Sequence, residues 1–176
     1  TIRKYAFSAV RLQKALSEGS LKLISSHTLN EQTKKILEVA NSLIYVANKP
    51  LDLIQLGEAE CLAIFASASA KALLIDEKTT RMLIESPMQL KDTIESEYRQ
   101  KATVDKARLE EFSKLTQGIT CLRSSELLAF ALQKGFFDEY GQKKHEAFVA
   151  AVYSLREAGC GLTSAEIVEY EKMVQP

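Results

Sequence analysis

Four short apolar runs, each followed by a segment of helical period, constrain this chain most strongly. Leu21–Ser25 lies between Gly19 and the polar group Ser26–Asn30 and reads as a strand. Leu51–Leu56 after Pro50, Leu73–Ile75 and Ile119–Leu122 read the same way. Ile36, Leu37, Ala40 and Leu43-Ile44 follow the first run at helical spacing, and Asn30 is placed to cap that helix. Gly57 turns the chain after the second run into a helix over Glu58–Ala70. A helix over Thr79–Glu85 follows the third. The fourth leads into Glu126–Lys134, capped by Ser124 or Ser125 and stopped at Gly135. Strands alternating with helices in this way predict right-handed parallel βαβ units, and their uniformly apolar character predicts helices on both faces. The expected fold is α/β: a three-layer sandwich around a central, mostly parallel sheet, built as one domain over residues 1–176.

Outside that alternation, Ala6, Ala9, Val10 and Ala15-Leu16 give an amphipathic helix at the start. Glu146–Glu157 and Ser164–Met173 give two more at the end, separated by Gly159-Cys160-Gly161. Met88–Thr116 stands apart as a charge-dense helical pair with apolar stripes Leu90, Ile94, Tyr98 and Leu109, Phe112, Leu115. It is expected to be a helical insertion between the third and fourth strands, serving packing or dimerisation rather than catalysis.

Composition removes several classes of function. The formal net charge is zero, so nucleic acid would have to be met by a local patch and not by a global field. The three cysteines, Cys61, Cys121 and Cys160, are far apart and form no CxxC or Cys/His cluster, which argues against a zinc site. Sparse thiols suit a reducing cytoplasm better than a disulfide framework. The longest apolar runs, such as Leu43–Ala47 and Ala147–Tyr153, are too short to cross a bilayer, and no secretory segment is present. The dinucleotide and P-loop glycine patterns are both missing.

The acidic residues fall where an α/β fold would gather them. Glu58 and Glu60 open an Ala-rich helix, and Asp76, sixteen residues after Glu60, ends an apolar run. Helix starts and strand ends meet at one rim of such a sheet, where ligands bind. Carboxylates gathered there repel one another unless a cation lies between them, and a hard divalent metal with oxygen ligands suits that role. Glu58 and Glu60 are two apart on a helix and cannot point the same way, so at most one faces a metal. Glu31, at the start of its helix, also has a plain electrostatic role against the helix dipole. Asp76 has one as a cap for the helix after it, and Glu77 reads as its solvated neighbour. Lys78, Arg81 and Arg123 lie near the same rim, as phosphate holders or as solvated cations. Lys4, Tyr5 and Arg11 would extend an RNA groove. Neither His27 nor His145 reads as catalytic.

In order and spacing these segments resemble the PIN-domain nucleases. SEGSLKLISSHTLNE (Ser17–Glu31) is similar to the family's second strand and the acidic helix start after it. LGEAECLAIFA resembles the "GEAEA" helix of one subgroup, and KALLIDEKTTR its strand ending in a catalytic Asp with an Arg on the next helix. GITCLRSSELLAFALQKGFF and LREAGCGLTSAEIVEY are similar to the last core strand and the closing helices. The resemblance implies a metal-dependent ribonuclease. Glu31, Glu58 and Asp76 would be catalytic, and Glu31, Glu58, Glu60 and Asp76 would be the candidate ligands of Mg²⁺ or Mn²⁺. The metal would activate water against an RNA phosphate held by Lys78, Arg81 and Arg123. It also implies RNA as partner, an antitoxin or other protein partner, and a homodimer. The family ordinarily opens with a strand ending in an aspartate, and no segment from Thr1 on supplies one. The expectation is therefore an upstream strand, or a degenerate PIN-fold module that binds RNA or protein without cutting.

Overall fold

The computed structural model of the chain describes residues 2–68 and 70–173. The side chains of Lys4 and Tyr5 lie outside the described residues, as does any strand upstream of Thr1. The expected amphipathic start is helix α1 (Ile2–Ser17). The strand expected at Leu21–Ser25 is not formed. That stretch carries no ladder bonds, and Leu21, Leu23 and Ile24 are exposed. An apolar run becomes a strand only where a neighbour takes its N–H and C=O groups, and among the described residues none lies beside this one.

Helix α2 (His27–Ala40) begins at Ser26, whose Oγ accepts the Leu29 amide at 3.1 Å. Ser26, not Asn30, is thus the cap, and Asn30 and Glu31 lie inside the helix. Strand β1 (Ile44–Val46) turns through Ala47-Asn48, both at positive φ (49° and 61°), into β2 (Lys49–Pro50). Two left-handed residues in a two-residue loop match the twist of a hairpin. The expected strand Leu51–Leu56 is irregular instead. The Asn41 side chain holds it, with Oδ1 accepting the amides of Leu53 (2.7 Å) and Ile54 (2.9 Å) and Nδ2 donating to the Ile54 carbonyl (3.0 Å). A side chain here replaces the strand ladder.

Helix α3 (Leu56–Ala68) follows, ending before Ser69, which lies outside the described residues. Strand β3 (Leu73–Leu74) and helix α4 (Lys78–Glu85) come next, close to expectation. The Met88–Thr116 region is α5 (Pro87–Tyr98), a strand β4 (Ala102–Val104) and α6 (Lys106–Leu115). It is not an appended helical pair: β4 pairs antiparallel with β1, and Leu90, Ile94, Ala102 and Phe112 are part of the main core. After β5 (Cys121–Leu122) come α7 (Ser124–Gln133), a 3₁₀ turn (Asp138–Lys143), α8 (Lys144–Glu157) and α9 (Ser164–Lys172).

The sandwich around a central parallel sheet is therefore overturned. The chain is mostly helical, with a three-stranded antiparallel sheet in the order β2-β1-β4 and a two-stranded parallel pair β3-β5. Apolar stripes that were expected to cover sheet faces cover one another, α2 packing on α3 and α6. One core holds Ile36, Leu43, Ile54, Leu62, Leu83 and Phe112, all essentially without exposure. A second lies among the C-terminal helices around Phe137, Phe148, Val152, Leu162 and Ile167. There Phe137 and Phe148 meet edge to face at 5.7 Å, a geometry that the ring quadrupoles favour. Among the described residues no helix is long and apolar enough to cross a membrane.

Candidate functional site

One part of the expected parallel unit is present, and it places Asp76 beside the start of α7. Leu73 pairs with Cys121 and Leu74 with Leu122, so β3 and β5 end side by side. Ile75 donates its amide to the Leu122 carbonyl (2.9 Å), which carries the register one residue further. Asp76 is then level with the first turn of α7. The Ser124 amide donates to Asp76 Oδ1 at 2.8 Å and the Ser124 hydroxyl to Oδ2 at 2.6 Å. The Cys160 thiol, from the break between α8 and α9, donates to Oδ1 at 3.2 Å. Asp76 therefore acts as the N-terminal cap of α7, supplied from the neighbouring strand, where a negative charge is stabilised by the helix dipole. It does not cap α4. Glu77 does, accepting the amides of Thr79 (2.8 Å) and Thr80 (2.5 Å), so Glu77 is not simply a solvated neighbour.

Beside this clasp lies Arg123, 7% exposed. Its Nη2 donates to the Gly161 carbonyl at 2.9 Å and its Nη1 pairs with Glu166. Glu166 also accepts the Thr163 amide (2.8 Å) and hydroxyl (2.7 Å), closing a capping box on α9. Glu126 accepts the Arg123 amide (2.8 Å), so Arg123 itself precedes α7 where Ser124 or Ser125 was expected. Burial pushes the Asp76 carboxyl up, but the Ser124 and Cys160 bonds and the nearby Arg123 charge outweigh it and hold it below the ordinary value. Burial likewise raises Glu166, and the Thr163 and Arg123 bonds override it, leaving its pKa at about 2. For Cys160, burial and the bond to Asp76 both push the thiol up.

The other expected site residues are placed elsewhere. Glu31 is exposed beyond the first turn of α2 and pairs with Lys34 at 3.3 Å. Glu58 accepts the Gln55 amide at 2.8 Å and so closes the start of α3, while Glu60 is exposed on the same helix. Lys78 is exposed at the first position of α4, and Arg81 pairs with Glu85 at 3.6 Å. Of the candidates, only Asp76 and Arg123 are brought into one cluster. Ser124, Cys160 and Glu166 complete it. The Cys160–Asp76 contact spans 84 residues of sequence, a distance over which no local pattern carries a signal.

A hard divalent ion needs several oxygen ligands with lone pairs to spare. Asp76 has three donors on its carboxylate, and among the described residues no group of three His, Cys, Asp or Glu side chains is placed to share an ion. The residues present thus do not fit Mg²⁺ or Mn²⁺ bound in the manner the resemblance implied. What the cluster does is mechanical: it ties the end of β3 to α7 and to the turn before α9. Comparison of the chain with protein-family models, curated proteins and solved structures finds no match.

Proposed function

We propose that this chain is a protein-docking module whose contact element is α1, and not a metal-dependent ribonuclease. One observation carries the reading. Phe7, Val10 and Leu12 are 75%, 59% and 55% exposed on a helix that contributes nothing to either core among the described residues. Large apolar side chains left open mark an interaction site where they form a patch, as Phe7 and Val10 do beside Ala15 in one recess of α1. The apolar run after it is also open, with Leu23 88% exposed. A proteinaceous partner is favoured over RNA because the aromatic and aliphatic side chains on α1 outnumber its described cations, Arg11 and Lys14. The cytoplasm is the compartment that goes with this reading, since Cys61, Cys121 and Cys160 are all free thiols.

The test uses a photo-crosslinking residue in place of Leu12, with the same residue in place of exposed Glu60 as control, in cells. One discrete protein adduct from position 12, missing from position 60, is the expected result. RNA adducts alone would overturn the reading. So would Mn²⁺-dependent cleavage of a mixed RNA pool by the purified full-length protein that is lost in Asp76→Asn.

A further inference from the structure

Phe7, Arg11 and Lys14, spaced four and seven residues apart, share one face of α1 and border a common recess. Phe7 is 75% exposed. Arg11 makes no ion pair among the described residues, and Lys14 makes only an exposed one, to Glu18 at 3.7 Å. This face therefore presents a ring flanked by Arg11, unpaired among the described residues, and by Lys14, whose solvent-exposed partner Glu18 borders the same recess.

Its complement lies on the opposite kind of surface in the same chain. A cleft of about 430 Å³ opens between residues 50–53, the start of α4 and α5. Leu53, Leu90 and Ile94 form an apolar floor, 8%, 3% and 5% exposed. Asp52 and Glu97 line it, and neither has an ion-pair partner among the described residues; Lys78 is the single cation lining it. A pocket with an apolar floor and an acidic rim takes an aromatic anchor with cations beside it, the arrangement of a binding hot spot.

We infer that the partner of α1 is a second copy of this chain, with Phe7 in the Leu53–Leu90–Ile94 cleft and Arg11 and Lys14 meeting Asp52 and Glu97. This rests on the docking reading of α1 and names its occupant. In a single chain α1 lines no part of the cleft. Two copies each supply one helix and one cleft, so a reciprocal exchange makes two identical joints and closes a twofold pair.

Sedimentation equilibrium on the purified full chain tests it. The wild type is expected to show a concentration-dependent monomer–dimer equilibrium. Phe7→Ala is expected to weaken it about 10- to 100-fold, as the loss of an aromatic anchor does. Arg11→Glu with Lys14→Glu, and separately Asp52→Lys with Glu97→Lys, should each weaken self-association about tenfold or more. Mixing these two charge-reversed proteins should restore a heterodimer, because both joints are then complementary. Far-UV circular dichroism confirms that each variant is folded. A wild type that stays monomeric, a dimer indifferent to these changes, or a mixture that fails to pair would overturn the inference. A monomeric purified protein that still gives one foreign protein adduct from position 12 in cells would overturn this inference alone and leave the docking module standing.

Discussion

Asp76 and Ser124, 48 residues apart in sequence, are joined twice: amide to Oδ1 at 2.8 Å and hydroxyl to Oδ2 at 2.6 Å. The pairing exists because β3 and β5 run parallel and end level, so Asp76, two residues after one strand, faces the helix that follows the other. A carboxylate at the end of an apolar strand has the look of a metal ligand in sequence. Here three donors occupy it, two from Ser124 at the start of the helix it caps and one from Cys160.

Asp76→Ala should cost about 2–3 kcal/mol, the sum of a lost cap and of hydrogen bonds to a charged group. Asp76→Asn should cost about 1 kcal/mol, because an amide oxygen still accepts from the Ser124 backbone while the charge is gone. Urea unfolding reads both. Equal stability of Asp76→Ala and wild type would show that the clasp contributes nothing.

Acid should loosen the same region. In the folded chain Asp76 lies below its ordinary value and Glu166 falls from 4.5 to about 2. Below about pH 5 the unfolded chain binds more protons at these two groups, so stability falls with pH. The Glu166 contribution is complete above its unfolded value and is lost as pH drops from about 4.5 towards 2, and that of Asp76 is lost likewise below its own unfolded value. For Glu166, whose side chain is 32% exposed, screening leaves about 1–2 kcal/mol of that linkage. Urea midpoints at pH 7, 5, 4 and 3 should decline more steeply in wild type than in Glu166→Gln. Parallel curves would remove Glu166 from the account.

The irregular segment before α3 depends on a single side chain. Asn41 makes three hydrogen bonds to the backbone of Leu53 and Ile54, both buried. Asn41→Ala leaves those groups without partners and should cost about 2–4 kcal/mol. Asn41→Asp keeps the acceptor but loses the donor to the Ile54 carbonyl, and should fall between. Hydrogen exchange at the Leu53 and Ile54 amides should accelerate in Asn41→Ala; unchanged protection there would mean that the segment is held by packing alone.

Helices were legible in the sequence because their period is written within ten or so residues: α3, α4, α7, α8 and α9 begin and end near their expected bounds. Strands were less so. Leu21–Ser25 and Leu51–Leu56 have strand composition, but whether a run becomes a strand depends on a neighbour that composition does not name. Conversely, Ala102–Val104 was hidden in a charge-dense stretch and pairs because Ile44–Val46 lies beside it. The site was legible at Asp76 and Arg123 as residues worth attention. Their roles were not, since these depend on Ser124, Cys160, Gly161 and Glu166 arriving from other elements.

The cysteines report whether the clasp is closed in solution. Alkylation requires the thiolate and access to it. Cys61 is exposed, although partial burial and the Glu58 and Glu60 charges raise its pKa. Cys121 is pushed from 9.0 up to about 11, chiefly by burial, so its thiolate fraction near pH 8 is about 100-fold below that of an ordinary thiol. Cys160 is buried, with its proton shared towards Asp76 and its pKa raised. Iodoacetamide at pH 8, followed by peptide mass spectrometry, should therefore label Cys61 first, Cys121 slowly and Cys160 last. In Asp76→Ala the thiol loses both its acceptor and the negative charge that disfavours its ionisation, so Cys160 labelling should rise severalfold while Cys61 stays unchanged. Rapid labelling of Cys160 in the folded wild type, at the rate of Cys61, would mean that Asp76, Ser124 and Cys160 are not held together.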